Sequence, residues 1–104
     1  MKGNRAHEAT VRDLQAERAS ALARASERLE AALAELAAAD AARASKPSST
    51  ADARRREALA EARERLWYLV IQREAVGLRR HETLYEVLRI PREVRSAMGP
   101  RRAR

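Results

Sequence analysis

Between Arg5 and Ala44 the chain contains neither Pro nor Gly, and Ala, Glu, Arg, Leu and Gln fill most positions. These residues carry the smallest penalties in a helix interior, so the stretch reads as one long helix over about 5–44. Leu22, Leu29 and Leu36 recur every seven residues, and Ala25, Ala32 and Ala39 follow each by three. Leu33, with Val11 or Leu14, widens the stripe. A seven-residue apolar period predicts a coiled-coil-like seam in which Leu layers alternate with Ala layers. The small Ala layers favour a helix spacing toward the lower end of about 8–10 Å. Gln15 and Arg18 fall near the seam in its first half, which predicts looser packing of the N-terminal turns.

Residues 45–50 (Ser-Lys-Pro-Ser-Ser-Thr) are the one interior stretch with turn composition. Pro47 disfavours helix at Lys46. Ser49 or Thr50 is then placed to cap a second helix, with Asp52 completing an acidic variant of the capping box. That helix is expected over about 51–89, ending where Ile90 precedes Pro91. A short helix over 91–98 follows, stopped by Gly99 and Pro100. Residues 101–104 read as a disordered basic tail, dispensable for folding. The expected architecture is all-α: one domain over 1–100, a long antiparallel helical hairpin with a short C-terminal helix.

The apolar inventory argues for assembly. Ala supplies 24 of the hydrophobic residues and there is no Phe, so a monomeric core is thin. The second helix also carries two stripes. Leu59, Ala62, Leu66 and Leu69, continued by Val76 and Val87, form the seam toward the first helix. Trp67, Ile71, Glu74, Leu78, His81, Tyr85 and Leu88 form the other, with spacings alternating between four and three. A hairpin covers one stripe only. The second therefore predicts a homo-oligomeric bundle, a dimer before a tetramer, in which two copies of this helix cross near Gly77 and Glu74 faces His81 of the other copy. The run Leu66 to Ile71 is apolar all round, which calls for neighbours on every side.

Charge and chemistry exclude more than they assign. Without Cys there is no disulfide, thiolate metal site or Cys nucleophile. His81 and Glu74 form the one polar pair of interest, and no third ligand or nucleophile stands at a useful spacing. No catalytic, metal-binding or cofactor-binding residue is assigned, and no enzyme activity or cofactor is expected. The net charge of +7 is uneven: residues 1–50 hold 8 basic and 7 acidic groups, residues 51–104 hold 14 and 8. Arg54, Arg55, Arg56, Arg101, Arg102 and Arg104 are the candidates for phosphate contacts if the partner is a nucleic acid. The competing reading is a solvated face in which Arg54–Arg56 pair with Glu57, Glu61 and Glu64. The longest run of large apolar residues is far short of the roughly 20 needed to span a bilayer, and no signal-like run opens the chain, so a cytoplasmic protein is expected. Arg outnumbers Lys 20 to 2, which with abundant Ala points to a GC-rich bacterial genome.

Trp67, Gln72-Arg73-Glu74-Ala75, Gly77-Leu78, His81, Ile90-Pro91 and Met98-Gly99 resemble the C-terminal part of a family of short bacterial proteins of unknown function. The resemblance covers the segment from Leu66 to Gly99 and implies no activity, substrate or cofactor. The functional expectation is therefore an oligomeric binding or scaffolding module without catalysis, with an accessory nucleic-acid-binding protein as the alternative.

Overall fold

The Leu and Ala seam folds as expected, in a hairpin of unequal arms. The computed structural model describes residues 2–101. Helix α1 (Lys2–Ser45) has 44 residues, about 66 Å at 1.5 Å per residue, and sets the long dimension of the 68 × 26 × 23 Å molecule. Helix α2 (Ser49–Ala75) has 27 residues and packs antiparallel along it. The described residues contain no strand. Ser48, one position before the expected cap, takes the extended conformation at the N-terminus of α2, and its hydroxyl accepts the Ala51 N–H at 3.0 Å. Asp52 lies 3.7 Å from Arg43 across the closed end.

Ala25, Leu29, Ala32, Leu36 and Ala39 of α1 and Ala58, Ala62, Leu66, Leu69 and Val70 of α2 form the buried core. Leu29 and Leu66 are completely enclosed, and Leu22, Leu33 and Leu59 edge the cluster. The ion pairs Arg54 to Glu35 at 2.9 Å and Arg55 to Asp40 at 2.5 Å tie the arms together. That register brings Ala75, the last residue of α2, level with about Ser20. From residue 4 to residue 20 every residue of α1 is exposed, and burial begins at Ala21.

The second helix does not continue to Arg89. It stops at Ala75, and Gly77 forms the turn that closes it. The Gly77 N–H donates to the Glu74 carbonyl at 3.0 Å and the Leu78 N–H to the Arg73 carbonyl at 2.9 Å, with Gly77 at φ +92. This is the Schellman arrangement, in which a left-handed residue just past the helix satisfies its last carbonyls. The same device recurs after helix α3 (Glu82–Val87). There Arg89 takes φ +50, its N–H donates to Glu86 and the Ile90 N–H donates to Tyr85. Two such turns fold the chain back along the hairpin. They deliver Ile90 and Val94 into the core, with Leu84, Tyr85, Leu88 and Met98 packed against it. The short helix α4 is Arg92–Arg95 with Pro91 as its N-cap, narrower than the expected 91–98, and it packs on α2. Val76 and Val87 lie outside the seam, and Val87 is 71% exposed.

These turns carry opposite predictions. A methyl group added at Gly77 meets nothing within 4 Å, so the cost of Gly77→Ala is the strain of a side chain at φ +92, about 1 kcal/mol. Arg89→Gly relieves the same kind of strain and should stabilise by somewhat less, about 0.5 kcal/mol, because glycine also enlarges the unfolded ensemble. Urea melts of the two variants should move in opposite directions. Shifts of the same sign would contradict the assignment of both residues as left-handed caps.

Candidate interaction surface

The turn at Gly77 rearranges the residues expected to form one continuous interface. Trp67, Ile71 and Glu74 remain on α2, Gly77 and Leu78 lie in the reverse turn, and His81 caps α3, which carries Tyr85 and then Leu88 at its C-cap. Gly77 is therefore not the crossing point of two helices, and the Glu74 to His81 contact forms within one chain. The Glu74 carboxylate lies 3.3 Å from His81 Nε2, while Arg73 Nε donates to His81 Nδ1 at 3.1 Å. Because Nδ1 accepts from a guanidinium, the ring proton sits on Nε2 and donates to Glu74. A second Arg73 nitrogen donates to the Arg80 carbonyl, so this cluster closes the reverse turn. Among the described residues, no three His, Asp or Glu side chains gather as they would around a metal ion.

Tyr85 and Leu88 pack against the chain's own core, and Trp67 is half-buried. The run from Leu66 to Ile71 is not covered all round: Leu66, Leu69 and Val70 are enclosed, whereas Tyr68 and Ile71 are exposed. With Val76 and Leu78 they leave an apolar rim where α2 ends.

The Arg clusters are largely engaged inside the molecule. Arg54 is paired with Glu35, and Arg55, 19% exposed, bridges Asp40 of α1 and Glu93 of α4. Arg101 is not part of a free tail. Its guanidinium bonds Glu57 at 2.5 Å and also Glu61, and its N–H donates to Glu64 at 3.0 Å. Together with Arg63 Nε, which donates to the Glu93 carbonyl at 3.0 Å, these contacts strap the C-terminal segment around α2. Of the six candidate phosphate contacts, Arg54, Arg55 and Arg101 thus spend their charge on carboxylates, and Arg56 is exposed. Arg102 and Arg104 lie outside the described residues. The spacing of Glu57, Glu61 and Glu64 signalled a cation on that face, but not that it comes from about forty positions downstream.

The strap has a pH signature. Arg54 holds the Glu35 carboxyl below its ordinary 4.5. At Glu61 partial burial pushes upward, but Arg65 and Arg101 together leave the carboxyl below 4.5. A carboxylate with a depressed folded pKa stabilises fully above its unfolded value and loses that contribution as pH falls through the folded one. The melting midpoint should therefore be flat above about pH 5 and fall below about pH 4.5. Arg101→Ala should lower the unfolding free energy at neutral pH by about 0.5–1 kcal/mol, the scale of a solvent-screened network, and make the acid decline shallower. An unchanged midpoint in Arg101→Ala would place Arg101 in solvent.

The remaining surface is the overhang of α1. Val11 and Leu14 stand 38% and 47% exposed, within the stretch 4–20 in which every residue of α1 is exposed. Among the described residues, the grooves beside His7 and Arg12, beside Tyr85 and Arg95, and between Leu36 and Glu93 each lack an acid, a base and a nucleophile gathered together.

Comparison with known proteins places the chain. The model of a family of unknown function, DUF6665, matches residues 2–103. The chain belongs to that family. The match extends well beyond the C-terminal third that carried the sequence resemblance. In this DUF6665 chain the matched range takes in the overhang, the hairpin, both left-handed turns and Arg101 of the strap. No curated protein and no solved structure matches the chain. Among the described residues of this DUF6665 chain, no helix is long and apolar enough to cross a membrane.

Proposed function

We propose that this protein is a non-catalytic binding and assembly module, in which a clasped helical body presents the overhang of α1 to another molecule. One observation carries the reading: residues 4–20 are helical and exposed on every side. Alone in water, helices of about 12–15 residues are marginal, and most helical stability in proteins comes from packing an apolar face. The overhang has such a face in Val11 and Leu14, and both stand exposed among the described residues. The body, by contrast, carries its own core and strap. The phosphate-binding alternative is weakened by the internal pairing of Arg54, Arg55 and Arg101.

Amide hydrogen exchange tests this reading. In dilute protein the amides of the body should be protected and those of residues 4–20 should exchange as a frayed helix, gaining protection when a binding molecule is present or its concentration is raised. Strong protection of residues 4–20 at every concentration, down to the most dilute, would show a self-sufficient helix and overturn the reading.

A further inference from the structure

Deepening that reading, and resting on it, we propose that the overhang binds a second copy of this chain, antiparallel, about a two-fold axis between Arg12 and Asp13. Three features of the overhang point to a copy of itself. The first is charge: between residues 4 and 20, Arg5, Arg12 and Arg18 balance Glu8, Asp13 and Glu17, whereas the whole chain carries +7. The surplus sits in residues 51–104, so the overhang lets two like-charged copies meet away from it. An overlap of about 25 Å at 1.5 Å per residue holds the two basic bodies at opposite ends, beyond the screening length of about 8–10 Å.

The second is register. A two-fold axis pairs residue i with residue 25 minus i, so Val11 meets Leu14 of the second copy in two equivalent apolar layers. The next layer outward sets Arg18 of one copy beside His7 of the other. Arg18 then stands between its own Glu17 on one flank and Glu8 of the second copy on the other. In antiparallel helix pairs, equivalent flanks meet, so these two carboxylates lie on opposite sides and do not face each other. Arg18, which interrupts the hairpin seam extended from Leu22, finds a use here.

The third is extent. The axis that matches Val11 to Leu14 also lies near the middle of the part of α1 that runs past the end of α2. Pairing therefore covers most of that part. It brings the first turns of each copy to where α2 of the other ends and Tyr68, Ile71, Val76 and Leu78 are exposed.

Charge exchange tests the contact. Residues 8 and 18 are about 15 Å apart along one helix, too far to pair within a chain, so compensation between them has to be intermolecular. Sedimentation equilibrium of the parent at about 100 µM should give twice the chain mass. Arg18→Glu should weaken the dimer by at least about tenfold, because each end layer then holds three carboxylates, and Arg18→Glu with Glu8→Arg should recover most of that loss. The chain has no cysteine, so register can be read separately. Under mild oxidation, a mixture of Val11→Cys and Leu14→Cys proteins should give mainly the mixed disulfide, while Ala53→Cys on the body should not cross-link. A monomeric parent, an Arg18→Glu protein that dimerises like the parent, an uncompensated double variant, or Val11→Cys cross-linking mainly to itself would each overturn the proposal. A monomeric parent whose residues 4–20 exchange freely would remove the second copy and leave the binding-module reading standing. Concentration-independent protection would remove both.

Discussion

Leu66→Ala should lower the unfolding free energy by about 2–5 kcal/mol, the range for emptying a leucine site in a packed core. Leu66 is completely enclosed on α2, in one core with Leu29, Leu36 and Leu69. The seam around it is rich in alanine at positions 25, 32, 58 and 62, and alanine has no flexible side chain with which to fill the hole. A domain of this size has a stability of only about 5–15 kcal/mol in total, so this one change removes a large fraction. The check is a urea melt beside the parent, read at the midpoint with the slope held common. A midpoint equal to the parent's would mean that the Leu and Ala seam does not hold the hairpin arms together.

Val94→Asp should release the C-terminal segment. Val94 is completely buried on α4, and the Glu93 carboxylate beside it in sequence is already committed to Arg55. An aspartate at 94 has to be buried without a partner or the segment has to leave the groove, at an expected cost of at least about 3 kcal/mol. Release is the cheaper course, because α4 is one turn long and the segment is held by Ile90, Val94 and the Arg101 strap. Trypsin should report the difference. The bond between Arg89 and Ile90 is shielded while Ile90 is buried, and it should be cut quickly in Val94→Asp, while the bonds after Arg24 and Arg28 on α1 stay resistant. Equal cutting rates at Arg89 in variant and parent would show that Val94 does not anchor the segment.

What was legible in the sequence, and what was not, divides by distance along the chain. The recurrence of Leu22, Leu29 and Leu36 with Ala25, Ala32 and Ala39 states a helix and its buried face within a few turns, and every one of these residues lies in or against the core. Gly77 is different. A lone glycine in a helical pattern can be tolerated at about 1 kcal/mol or can end the helix, and local propensity does not choose. The choice is made by Ile90 and Val94, which reach the hairpin core only if the helix reverses before them. The same reversal turned the expected Glu74 to His81 contact between chains into one within the chain. Arg101 belongs with these cases, since its acidic partners on α2 are local in space and remote in sequence.

Taken alone, then, the sequence determined that the chain is helical, where α1 and its turn lie, and which stripe of α1 is buried. All of these follow from propensity, breakers and a period of seven, which act over one or two turns. Only the tertiary structure decided that α2 stops at Ala75, that Arg89 takes a left-handed conformation, that Arg54, Arg55 and Arg101 are spent on internal carboxylates, and that residues 4–20 of α1 stand exposed. Each of these turns on which remote groups meet once the arms have docked. Burial of Ile90 and Val94 outweighs the continuation of a helix, and the difference in length between α1 and α2 leaves an exposed end that no local pattern announces.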